Sequence, residues 1–323
     1  MHSKKTKNVV FAFLSLLLLL SNLLIGIGTA SANTYENTNL KPFKNAEKKK
    51  LDVSKYDPDE KVRVIVELEG TPAIEYATKK GVMFKELSKS EQSELQTKVK
   101  DQQSDFLSSV NKKRVKFDVE NSFTVVANGV SGEVKVSDIE KIESISTVSS
   151  VHIANEYERP EVKPDMVSSG DIVEAEETWV RGYNGTGTVV GIIDTGIDPS
   201  HKDMILTDES KAKLTKSDVD ASISKNKLPG KYHTAKVPYG YNYYDKNQEI
   251  LDLGSDASMH GMHVGGTVGA NGSKDAGGIK GIAPETQLLA LKVFGNDSEM
   301  PSTWGDIYVK AIDDAILLGA DVL

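Results

Sequence analysis

The 323-residue chain contains no cysteine. Disulfides, thiolate metal centres and cysteine nucleophiles are therefore excluded, and covalent catalysis would have to use Ser, Thr, Lys or a carboxylate. A basic excess is also missing: the formal charge is −8 and the pI about 5.4. That removes the cationic face a nucleic-acid partner requires, and an acidic surface mainly promotes solubility. Beyond residue 28 no apolar run approaches the roughly twenty residues of a membrane span. With 38% hydrophobic and 27% charged residues the composition is that of a globular chain able to bury a sizeable core. Its length suggests about two domains.

The N-terminus has the three parts of an export signal. "KKTK" (4–7) is a basic region, "VVFAFLSLLLLLSNLLIGIG" (9–28) an apolar core, and "ASA" (30–32) a small-residue cleavage site. Residues 1–32 are expected to be removed after Ala32. Residues 33–58 are polar and lysine-rich and read as a solvated linker. Order is expected from 59 to 155. Val62, Val64 and Val66 alternate with Arg63, Ile65 and Glu67 in a β-branched run typical of strands, and Phe84, Leu87, Leu95, Val99, Phe106 and Val110 then fall near one helical face. Alternation returns over 115–136, where Asn128-Gly129 predicts a tight hairpin turn. Ser137-x-x-Glu140 predicts a capping box ahead of Ile139, Ile142 and Ile145, and "VSSVHI" (148–153) supplies a last strand. The order β-α-β-β-α-β predicts a ferredoxin-like α+β unit. Over 156–177, Pro160 and Pro164 hold the chain extended, either as a plain tether or as a segment that threads a neighbouring cleft and is cut there.

"VVGIIDTGID" (189–198) is a continuous apolar run that ends at Asp194. Such a run suits a strand covered on both faces of a parallel sheet, and Asp194 would then stand at its carboxyl end, where open α/β sheets place functional groups. Asp-Thr-Gly is also the tripeptide of aspartic proteases, but those need two such aspartates sharing a proton and this chain has one copy. In "MHGMHVGGTVGANG" (259–272), Val264 and Val268 continue at helical spacing, which puts His260 at the helix N-terminus. Glycines at 261, 265, 266 and 269 are costly inside a helix and make sense where it lies very close to a sheet. His260 and His263 lack the spacing and central Glu of a zinc helix, and His263 is expected to be a buried structural residue.

These two motifs, with "GIKGIAPETQLLALKVFG" (278–295) and "AIDDAILLGADVL" (311–323), resemble the subtilisin-like serine proteases over most of residues 178–323. "HGMH" and "KVPYGYNYYD" (236–245) are most similar to lactocepin-type cell-envelope proteinases, and 61–153 is similar to the inhibitory propeptide of the family. The resemblance implies a doubly wound α/β domain, incomplete here, after a ferredoxin-like propeptide. It implies a secreted precursor that hydrolyses peptide bonds, with Asp194 orienting the imidazole and His260 moving the proton of a nucleophilic serine. That serine's motif matches nothing in 1–323; Ser255, Ser258 and Ser298 lack its context. The chain is accordingly read as the N-terminal part of a larger enzyme. By the same resemblance, Ser298, Glu299 and Met300 would pair with an extended protein or peptide substrate, Phe294 would line a pocket, and Asp203 with Asp275 would bind structural calcium. No cofactor is required for the chemistry, and the propeptide would be an intramolecular inhibitor. Thr303-x-x-Asp306 predicts a capping box for a helix ended by Gly319. A function of another class fits the same residues: a non-enzymatic inhibitor or binding module in which the catalytic half-domain is vestigial.

Overall fold

A computed structural model describes residues 51–160, 173–254, 257–297 and 301–323. The export signal, most of the polar linker, residues 161–172 and the substrate candidates Ser298, Glu299 and Met300 lie outside the described residues. Among those described, no helix is long and apolar enough to cross a membrane.

The first half opens with β1 (Lys61–Leu68), whose Val62, Val64, Val66 and Leu68 alternate into the core. After it come α1 (Ala73–Lys79), α2 (Lys89–Lys112), β2 (Asp118–Phe123), β3 (Gly129–Lys135), α3 (Ile139–Glu143) and β4 (Val148–Ile153). The sheet order is β2-β3-β1-β4 with every pair antiparallel, the split β-α-β arrangement of a ferredoxin-like unit. Phe106 and Val110 of α2 and Ile139 and Ile142 of α3 close its core.

Local chemistry departs from the sequence expectations in three places. The long helix begins only after Ser88, which forms a capping box with Glu91. Phe84 and Leu87 belong instead to a preceding turn and pack with α1 and Val125. Asn128-Gly129 is not a positive-φ hairpin turn. Gly129 opens β3 because a Cβ there would meet the Val66 carbonyl at 2.6 Å, while the Asn128 amide is buried and donates to the Glu69 carbonyl and to Gln102. Ser137 sits inside a 3-10 turn and caps nothing, since its amide is taken by the Pro58 carbonyl.

After β4 the chain runs into β5 (Glu156–Glu158), then α4 (Ala175–Val180), β6 (Val189–Asp194), α5 (Lys216–Asn226), β7 (Tyr239–Asn242), α6 (His260–Gly269), β8 (Gln287–Lys292), β9 (Ser302–Trp304) and α7 (Gly305–Leu318). β6, β8 and β7 form a parallel sheet in that order. All six residues of β8 are buried. Leu289 and Leu291 face a core shared with α5 and α7, whereas Leu288 and Ala290 face one shared with α6. Both faces are thus covered, which makes this an α/β, doubly wound arrangement. β5 does not behave as a free tether. It pairs antiparallel with β9, register Glu156 to Trp304 and Glu158 to Ser302, so the segment after the first half lies on the edge of the second.

Candidate active site

β6 delivers Asp194 to the carboxyl end of the central sheet, and Gly196 at φ +133° turns the chain away so tightly that a Cβ there would meet the Ile250 carbonyl at 2.3 Å. α6 starts at His260, immediately after Met259 in the left-handed region (φ +57°). Helix and strand approach closely because Gly261 has no side chain: its Cβ would lie 2.5 Å from the Gly196 carbonyl and 3.1 Å from Asp194 Cβ. At Gly265 and Gly269 the approach is less tight, a Cβ lying 3.2 Å from Ile197 and 3.1 and 3.2 Å from Thr286 and Leu288.

The approach brings His260 Nδ1 to 2.7 and 2.8 Å from the two oxygens of Asp194. Since a carboxylate only accepts, Nδ1 carries a proton, and in the neutral ring the free lone pair is on Nε2. Side-chain exposure is 31% for His260 and 12% for Asp194, so the imidazole is the member open to solvent. Thr195 fixes the pair from beneath. Its amide donates to Asp194 Oδ1 at 2.7 Å, its hydroxyl accepts the Gly261 amide at 3.0 Å, and its carbonyl accepts a hydrogen bond from Lys292 Nζ. Lys292 is fully buried at the end of β8, and burial lowers its pKa to about 8. Tyr308 on α7 is pushed up to about 12 by burial and by the charge of Asp194.

The other sequence candidates fall elsewhere. His263 is half-buried, not fully enclosed. Ser258 Oγ faces only the His260 amide, at 3.4 Å. Phe294 is buried, its ring edge-on to Tyr308. Asp203 is buried with its carboxylate accepting the Ile279 amide at 3.1 Å, while Asp275 is exposed on a 3-10 turn. Among the described residues no group of three or more His, Cys, Asp or Glu is arranged for a metal ion. Gly319 ends α7 in the left-handed region, as its position suggested. Thr303 and Asp306 form no capping box. Thr303 donates to the Val293 carbonyl, and buried Asp306 instead receives Arg63, Asn121 and Ser131 from the first half.

Two buried residues beside the pair carried no motif. Asp252 accepts the Met259 amide at 2.9 Å and pairs with Arg159 at 2.6 Å. Lys292 is hidden in an apolar strand. Neither has a local signal, because each is defined by partners far away in sequence.

A doubly wound α/β domain with a carboxylate-oriented imidazole at the carboxyl end of its sheet has the geometry that general-base chemistry requires. Residues 185–323 match the model of the subtilase family. It is 44% identical over 205 residues to the PI-type proteinase of Lactococcus lactis subsp. cremoris, covering 62% of this chain and 10% of that relative. Identity to the minor extracellular protease Vpr of Bacillus subtilis (strain 168) is 28% over 222 residues, covering 64% and 23%. The C5a peptidase of Streptococcus pyogenes serotype M3 is 33% identical over 151 residues, covering 44% and 12%. The matched part thus spans about a tenth of the length of the first of these relatives.

Proposed function

We propose that this chain is the N-terminal part of a secreted serine endopeptidase precursor, in which Asp194 and His260 are two members of an Asp-His-Ser triad. The observation that carries the reading is the doubly short bond between Asp194 and His260 Nδ1, with Nε2 left free. Nε2 would take the proton of a serine hydroxyl as that oxygen attacks a peptide carbonyl, and would return it to the leaving amine. Asp194 would hold the ring and offset the imidazolium charge. The serine is assigned to sequence following residue 323, in keeping with the much greater length of the relatives.

Residues 59–155, with β5 directly after them, act in this reading as a propeptide that occupies its own protease. Three features support it. β5 covers the edge of β9. Asp313 of α7 accepts the consecutive amides of Thr124, Val125 and Val126 at 2.7 to 3.0 Å. Asp306 receives the Arg63 guanidinium at 2.8 Å. Release would follow cleavage within 160–172. For the full-length protein, His260→Ala is expected to lower the rates of both hydrolysis of a protein substrate and the appearance of a new N-terminus within 160–172 by roughly 10⁶-fold. Activity and processing at the wild-type rate in that variant would refute the role given to the imidazole.

A further inference from the structure

Arg159 follows β5 and precedes Pro160, in a stretch where Asn155, Glu156 and Glu158 are exposed. Arg159 is not. The side chain is 13% exposed, with Nη1 2.6 Å from Asp252 Oδ1. Nη2 donates to the Gly295 carbonyl, and the guanidinium lies over the Phe294 ring, 5.8 Å from its centroid. A paired charge, a carbonyl and an aromatic face are the three partners a guanidinium satisfies at once and an ammonium does not.

The carboxylate on the other side is equally specific. Asp252 is 1% exposed, and its second oxygen accepts the amide of Met259, the residue before His260. The nearest other cation is Lys292, 4.0 Å away and occupied with the Thr195 carbonyl. With Arg159 removed, a buried anion would face the groove with an incomplete set of partners, a costly arrangement that a new cation would relieve.

Backbone geometry says what kind of molecule would bring that cation. Arg159 extends the β5 ladder by one bond, its amide donating to the Pro301 carbonyl at 2.9 Å. Side chains two apart on an extended chain share a face. Tyr157 accordingly meets Tyr308 edge-on, with ring centroids 5.6 Å apart, and Arg159 enters the pocket beside it. Any extended peptide laid along β9 in this register presents one side chain to Asp252.

We propose that in the mature enzyme the Asp252 pocket is a substrate subsite for a basic side chain, arginine before lysine, at the peptide residue whose amide bonds the Pro301 carbonyl. The proposal rests on the protease reading above and names the substrate class that reading leaves open: extended peptides bearing arginine near the cleaved bond. Asp252 is then a specificity-determining residue and Arg159 the first side chain to use it.

The test uses the processed full-length enzyme hydrolysing casein, with the decapeptide NEYERPEVKP (residues 155–164) as competitor and versions in which Arg159 is replaced by Lys, Gln or Glu. The apparent inhibition constant is expected to rise on the order of tenfold or more from Arg to Gln and further to Glu, with Lys between Arg and Gln. In Asp252→Asn the gap between the Arg and Gln peptides should close. Equal inhibition of the wild-type enzyme by the Arg and Gln peptides would overturn the subsite while leaving the protease reading intact, and needs no folded variant. Failure to hydrolyse casein or any other protein would overturn the protease reading, and this inference with it.

Discussion

At the scale of single residues, the site depends on what stands next to its two chemical groups. Thr195 uses amide, hydroxyl and carbonyl to bind Asp194, α6 and β8 at once, and Gly261 makes room for that convergence. Gly261→Ala would drive a methyl to 2.5 Å from the Gly196 carbonyl. A loss of about 1–3 kcal/mol in urea denaturation is expected, with activity falling further as His260 is displaced. Lys236 offers a pH test. Its buried ammonium donates to the Pro284 and Thr286 carbonyls at 2.7 and 2.6 Å, and burial lowers its pKa from 10.5 to about 8. Between those values the unfolded chain binds the proton that the folded chain has released, so stability rises with pH there. Relative to Lys236→Met, the wild-type chain should be level below pH 8 and then gain up to about 1.4 kcal/mol per pH unit towards 10.5. A flat difference from pH 7 to 10 would show the shift to be absent. Asp194 and His260 were legible in the sequence because a strand end and a glycine-lined helix leave local patterns. Asp252 and Arg159 were not, since 93 positions separate them.

At the scale of elements, α7 shows how tertiary contacts override local capping rules. Its sequence offers Thr303 and Asp306 as a reciprocal cap, yet both are drawn into other bonds and the helix begins without a side-chain cap. Two of its buried acids, Asp306 and Asp313, face the first half of the chain instead. Removing the Asp313 carboxylate would strand three consecutive amides, two of them buried, so Asp313→Ala should cost about 3 kcal/mol or more in chemical denaturation. Asp313→Glu should recover part of that loss. The strand-helix order of 61–153 was readable from hydrophobic period alone, because each strand buries alternate residues. The boundaries at Ser88 and Ser137 were not, since competing polar groups nearby decided which one caps.

At the scale of the whole molecule, residues 48–323 form one compact unit. Ile316 and Leu317 of α7 pack with Ala73, Phe84 and Val125, so the two halves share apolar surface as well as ion pairs. A single cooperative transition is therefore expected in calorimetry, and two resolved transitions would show that the halves melt independently. The contact between the two halves was not legible in the sequence: it is made by isolated side chains on surfaces that each half presents separately. The pairing of β5 with β9 has one more consequence. Being covalently joined to the edge it covers, β5 competes with any free peptide as if present at millimolar concentration. One cut in the connecting chain turns that local excess into ordinary dilution, so dissociation would be set by the volume into which the severed piece escapes.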